Sequence, residues 1–272
     1  ILLGNKMIIT RLCGGLGNQI FQWAIAQNLA YKYDTDFYCD LDHFKGLSLF
    51  TEDRIKEKPD AVVTEWGLEL HKTNVNAEFV KADTHGLRQV DENQAPEHIE
   101  DNSYLSGFWQ SEKYFTGNES KIRSKLDMTE EQQNNVYSTY PFLKDSSTVS
   151  LHVRRGDYVN IQHVHPCQTV EYYDKALEEI IEIENILVFS DDIPWCKHNF
   201  KYDNMLFAEK QDSITDLYTM SLCSHNVIAN SSFSWWGAWL NKNENKKIIA
   251  PKKWFSNSAK SQHIIPDSWT KI

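Results

Sequence analysis

The sequence predicts an α/β protein built on parallel sheets, and three observations predict it. Short apolar runs alternate with helical stretches from residue 146 to the end, and a strand, glycine turn and helix open the chain. The later runs end in polar clusters: His152, Arg154, Arg155 and Asp157 after the first, Asp191 and Asp192 after the second, Ser231, Ser232 and Ser234 after another. In a parallel sheet these carboxyl ends share one edge, where open α/β sheets bind ligands.

Taken in order, Met7 to Cys13 (MIITRLC) reads as the first strand. Gly14-Gly15-Leu16-Gly17-Asn18-Gln19 then opens the helix IFQWAIAQNLAYKY, whose apolar residues cover more than one face and so predict burial. This order presents backbone N–H groups and a positive helix end to a phosphate, although it is not the dinucleotide fingerprint, and a tight βα turn explains the same glycines. Asp34/Asp36 and Asp40/Asp42 are spaced to hold a divalent metal against a diphosphate, but such pairs arise easily among 38 acidic residues. Residues 46–96 are polar and irregular and yield no elements. Tyr104 to Phe108 reads as a strand, with Trp109, Gln110 and Glu112 following it. A helix carrying Ile122 and Leu126 comes next, and Thr129-Glu-Glu-Gln-Gln reads as a helix start. A domain boundary is expected at 145/146, giving domains 7–145 and 146–272. Beyond it, strands are predicted at 149–153, 186–190, 205–207, 227–229 and 247–250, with helices from Thr169, over 213–224 and over 235–240.

The densest chemistry lies in Thr148 to Tyr158, TVSLHVRRGDY. Two adjacent guanidinium forks at a strand end match the oxygens of a diphosphate and keep their charge at any working pH. A solvated turn with a local Arg–Asp pair is the competing explanation, and Arg155-Gly156-Asp157 alone is too short to mark an adhesion ligand. Asp191 and Asp192 can accept from a purine's N–H donors, and the serines can bond sugar hydroxyls. His163, His165 and Cys167 alternate but lack a fourth metal ligand, so a plain loop is expected.

Composition narrows the functions. With 41% hydrophobic and 24% charged residues the chain is an ordinary globular protein, and a net charge of −10 argues against general nucleic-acid binding. Any phosphate site is therefore a local basic pocket. No apolar run approaches the ~20 residues of a membrane span. The residues ILLGNK before Met7 are too short for a signal peptide, and the natural start is expected near Met7. Five dispersed cysteines read as reduced thiols, so the sequons at Asn118 and Asn230 carry no weight. Nine tryptophans can stack on sugars, but Trp235, Trp236 and Trp239 share one helix and are expected in the core.

GGLGNQIFQWA, GFWQSEKYF, HVRRGDY, FSDDIPWC, NSSFSWWGAWL and APKKWF, in that order, resemble the α-1,2-fucosyltransferases of glycosyltransferase family 11, over residues 7 to about 255. The resemblance implies a GT-B fold, two Rossmann-like domains facing across a cleft. It implies inverting transfer of L-fucose from GDP-fucose to the 2-hydroxyl of a galactoside, with no cofactor and no obligatory metal. Carried over by residue, it assigns Arg154 and Arg155 to the diphosphate, and His152 and Asp192 to guanine, with Asp191 able to exchange roles with Asp192. Ser231, Ser232 and Phe233 then line the nucleotide pocket, and Gly15, Gly17, Asn18 and Gln19 face the donor from the opposite domain. Trp109, Gln110, Glu112 and His165 fall on the acceptor side. For the base, Asp157, His165, Asp40 and Glu112 are the candidates, and late proton transfer to phosphate needs none. A protein O-fucosyltransferase, a metal-dependent GT-A enzyme using Asp40 and Asp42, and a non-catalytic GDP- or glycan-binding protein are the rivals. A bacterial cytoplasmic home, peripheral to the inner membrane where surface glycans are assembled, is the expected setting.

Overall fold

The computed structural model describes residues 6–46, 67–81, 84, 86–209, 211–257 and 263–272. The chain divides into two units, Ile1–Leu126 and Asp127–Ile272. Each is organised by one parallel sheet.

In the first unit the strands are β1 (Met7–Arg11), β2 (Asp36–Asp40), β3 (Phe79–Val80), β4 (Arg88–Asp91) and β5 (Ser103–Ser106). They lie in the order β3-β2-β1-β5-β4, every pair parallel. The central strand is the most apolar, as burial on both faces requires, with Ile8 and Ile9 fully buried. Helix α1 (Leu16–Tyr33) begins within the glycine turn, because Gly14 at φ +73 turns the chain and Gly15 takes the extended N-cap position. It is buried along most of its length and stops at Asp34, whose left-handed backbone donates its N–H to Ala30. Helix α2 (Glu119–Leu126) buries Ile122 and Leu126. Strands β3 and β4 fall in the stretch where the sequence showed no pattern. Both are short, and β3 holds two residues.

The second unit contains β6 (Thr148–Val153), β7 (Asn185–Ser190), β8 (Met205–Phe207), β9 (His225–Val227), β10 (Ile248–Ala250) and β11 (Thr270–Lys271). Their order is β11-β10-β9-β6-β7-β8, again all parallel. The helices are α3 (Glu130–Thr139), α4 (Val170–Glu178), α5 (Ile193–Asn199), α6 (Ser213–Leu222) and α7 (Ser232–Leu240). Val149, Leu151 and Val153 pack against Tyr173, Ala176 and Leu177 of α4, and Val188 and Val227 from neighbouring strands complete this core. Trp235, Trp236 and Trp239 are core residues, as their spacing on one helix predicted.

Two boundaries differ from the sequence-based expectation. The division after Leu126 precedes the expected 145/146, because α3 packs on α6 of the second sheet. Its start was legible: Thr129 and Gln132 form a reciprocal capping box. The strand expected at 227–229 ends at Val227, because the chain turns there and Ser231 N–H donates to Ala229 O.

Candidate active site

The neighbouring strands β6 and β9 bring the arginine loop and the N-terminus of α7 to one sheet edge of the second unit. After β6 comes the arginine loop. After β9 comes the N-terminus of α7, where Ser231 is the N-cap without a side-chain cap and the first turn holds no acidic residue. Its backbone N–H groups and helix dipole thus present a positive end to a ligand. The His152 ring lies 5.8 Å from that of Phe233, linking the end of β6 to the first turn of α7.

Carboxylates from β7 hold the arginine loop. Arg154 pairs with Asp157 and, through Nη1, with Asp191 Oδ2 at 2.7 Å. The other Asp191 oxygen accepts the Arg155 backbone N–H at 2.8 Å. Gly156 fits against the same carboxylate so closely that a Cβ there would stand 2.6 Å from Asp191 Oδ2. The Arg155 Nε donates to Asp192 Oδ2 at 3.2 Å, and its guanidinium lies 4.0 Å from the Trp195 ring centroid, a cation–π contact. Asp192 also caps α5 by accepting Trp195 N–H. Asp191 and Asp192, expected at a guanine edge, also orient the arginines.

Burial lowers the pKa of His152 to about 4, with the Arg154 charge acting in the same direction and Asp191 opposing it. The imidazole is neutral at physiological pH, and its Nδ1 is a buried polar atom without a hydrogen-bond partner. His165 is stacked on Tyr158 with ring centroids 4.7 Å apart and also meets Phe255. Burial lowers its pKa too, and its Nδ1 is likewise unpartnered. Tyr158 and Trp195, which the sequence alone does not assign to the site, hold it in shape. Arg154 lies over the Tyr158 ring, whose hydroxyl donates to Asn230 O. Both tyrosine and tryptophan stand inside the quoted motifs, but their stacking on the arginines is visible only in three dimensions.

The first unit carries the other expected residues. Gly15 is the uncapped N-cap of α1, and Gly17 is buried in its first turn. Gln19 is fully buried, donates to Gly14 O and Gly67 O, and accepts the N–H groups of Glu69 and Leu70. It clamps a backbone segment and has no capacity left for a donor sugar. Asn18 Oδ1 accepts from Gln110 Nε2 at 2.7 Å. Trp109, expected against an acceptor, is completely buried and packs edge-on to Tyr114. Glu112 begins a short 3-10 turn. Asp40 is buried, accepting from Tyr104 hydroxyl at 2.7 Å and from Asp42 N–H.

Two parallel-sheet units, one with an arginine loop beside an uncapped helix N-terminus, define a glycosyltransferase of the GT-B class, and the GT-A alternative falls with that fold. The chain is 30% identical over 299 residues to the O-antigen biosynthesis glycosyltransferase WbnK of Escherichia coli, covering 96% of this chain and 99% of that protein. It is also 30% identical over 296 residues to an Escherichia coli α-1,2-colitosyltransferase, covering 98% and 99%. The NodZ α-1,6-fucosyltransferase structure, soaked with GDP-fucose, superposes with a TM-score of 0.51 over 87% of this chain and 92% of that chain, at 12% identity. Residues 68–272 match glycosyl transferase family 11, and the chain belongs to that family.

Proposed function

We propose that this chain moves L-fucose from GDP-β-L-fucose to the 2-hydroxyl of a terminal galactoside, forming an α-1,2 linkage in bacterial surface-glycan synthesis. The observation that carries the reading is the convergence of Arg154, Arg155 and the α7 N-terminus at the ends of adjacent strands. Charge grows on the β-phosphate as the sugar–phosphate bond breaks. Fixed guanidinium and N–H donors stabilise that charge without reorganising. The names of the relatives support the linkage and the setting: one is an α-1,2-colitosyltransferase and one an O-antigen glycosyltransferase.

Proton removal from the acceptor falls to His165 in this reading. Asp157 is committed to Arg154, whereas His165, whose pKa burial lowers so that it is a neutral imidazole, stands beside it. The guanidinium groups supply the charge neutralisation that a metal would provide, so no cofactor enters the proposal. Among the described residues no helix is long and apolar enough to cross a membrane. We place the enzyme in the cytoplasm, peripheral to the inner membrane.

The test is acceptor-dependent GDP release from GDP-fucose with lactose and a Galβ1,3-HexNAc glycoside, in excess chelator. Turnover is expected in the parent, falling at least about a hundredfold in Arg154→Ala, since a single oxyanion-type donor contributes roughly that much. Turnover only with a folded protein acceptor would favour the O-fucosyltransferase alternative, turnover only with a colitose donor would replace fucose, and abolition by chelator would defeat the metal-free reading.

A further inference from the structure

The end of β5 in the first unit has a geometry that secondary structure alone does not require. Phe108 is 43% exposed, although its neighbour Trp109 is completely buried. Three features fix this arrangement. The Phe108 N–H donates to Glu92 Oε2 at 2.8 Å, and the Trp109 N–H reaches the same oxygen at 3.4 Å. Gly107 is tightly packed, since a Cβ would lie 3.0 Å from Glu92 Cβ and 3.2 Å from the Trp109 ring, so that a neighbour would have to give way. Trp109 itself takes a left-handed backbone, φ +56, and its buried indole Nε1 finds no hydrogen-bond partner. A non-glycine residue in that region is strained, and an unsatisfied buried donor costs more. The fold tolerates both, and the outcome is an aromatic ring partly exposed to solvent.

The position of the ring gives the strain a use. Strand β5 neighbours the central strand β1, so Phe108 stands at the carboxyl edge of the sheet, the edge where open α/β sheets hold ligands. Two residues further along the chain, Gln110 is bonded to Asn18 of the α1 first turn. Arg11, at the end of β1, meets His43. An exposed flat apolar face at a sheet edge that also carries amide and cationic residues is an arrangement that binds a pyranose. Aromatic carbon packs on the sugar's C–H face while the polar groups bond its hydroxyls. Galactose carries such a face across C3, C4 and C5. Packing through it leaves the 2-hydroxyl clear for attack.

We infer that Phe108 is the platform on which the acceptor galactose stacks, and that it sets acceptor recognition in place of the buried Trp109. The inference rests on the galactoside-transfer reading. The test pairs kinetics with a binding readout independent of turnover. Steady-state rates are measured with GDP-fucose and lactose for the parent, Phe108→Ala and Phe108→Trp, and saturation-transfer NMR is recorded with methyl β-galactoside. An aromatic stack contributes up to a factor of roughly ten in affinity. Phe108→Ala is therefore expected to raise the acceptor KM about that much and to lose saturation at H3, H4 and H5. The donor KM and acceptor-independent hydrolysis of GDP-fucose stay unchanged, and Phe108→Trp restores binding. An acceptor KM within about twofold of the parent, with the NMR signals intact, would overturn the platform. If the parent turns over no donor yet saturates galactoside protons that Phe108→Ala loses, the platform stands and the transferase reading falls. Absence of both turnover and saturation in the parent would remove both.

Discussion

Gly156 shows how much of this site depends on a single hydrogen atom. Any side chain there meets the Asp191 carboxylate, which holds both Arg154 Nη1 and the Arg155 backbone. Gly156→Ala is expected to push Asp191 aside and leave the arginine loop unfixed. Hydrogen bonds to charged groups contribute about 1.5–3 kcal/mol each, so kcat/KM for the donor should fall about ten- to a hundredfold. The residue lies in a loop outside the core, so the melting temperature should move by only a few degrees. Donor kinetics and a thermal scan of the same preparation check the pair of outcomes. Unchanged donor kinetics would show that Asp191 does not position the arginines. The chemistry of these residues was legible in the sequence, where arginines, aspartates and a glycine crowd two strand ends. Their partnerships were not, because Asp191 and Asp192 lie far along the chain from Arg154 and Arg155 and nothing local distinguishes a carboxylate that binds a base from one that orients a guanidinium. Trp109 was misplaced for a similar reason: a left-handed backbone at a bulky residue has no sequence signature, and it reverses which neighbour faces solvent.

Among the elements, α6 carries a group that the proposed chemistry does not use. Asp216 is a largely buried carboxyl whose pKa is raised to about 7 by burial, with Asp212 adding like-charge repulsion, and its Oδ1 has no hydrogen-bond partner. The folded state holds this proton up to about pH 7, whereas the unfolded chain releases it near the ordinary value of 3.8. The stabilisation is therefore complete below the unfolded value and is lost as pH rises toward about 7. Asp216→Asn removes the ionisation. Its stability relative to the parent should rise between pH 5 and pH 8, by on the order of 2 kcal/mol, and urea unfolding at the two pH values measures it. Equal differences at both pH values would show that the carboxyl titrates normally. Long apolar elements such as α1, β6, β7 and α7 were readable because periodicity and runs of buried residues persist over several turns or pairs. Strands β3 and β4 were not, since short edge strands in a polar stretch leave no period to detect. The glycine turn reads as a ligand loop, but part of its polar content serves the fold instead, since Gln19 holds the 67–70 backbone in place.

For the whole molecule, the proposal divides labour between two sheets. In the proposed reaction the second unit binds the diphosphate at its arginine-loop edge, and the first stacks the acceptor on Phe108. A nucleotide without its sugar should then stabilise one unit selectively. A ligand that binds only the folded site slows amide exchange through the openings that destroy it, by about 2.7 kcal/mol at a hundredfold excess over Kd. With GDP alone, the expected protection falls on the backbone of 153–158 after β6, 190–195 after β7 and 229–236 leading into α7. Residues 105–110 of the first unit should exchange at an unchanged rate, and a galactoside added without nucleotide should reverse the pattern. Hydrogen exchange read by mass spectrometry on peptides covering these segments distinguishes the cases. Protection by GDP centred on 14–19 would instead restore the uncapped α1 turn to the donor, the role expected for Gly15, Gly17 and Asn18. Protection absent from 229–236 would remove the α7 N-terminus from the diphosphate site, leaving the arginines to carry the charge by themselves.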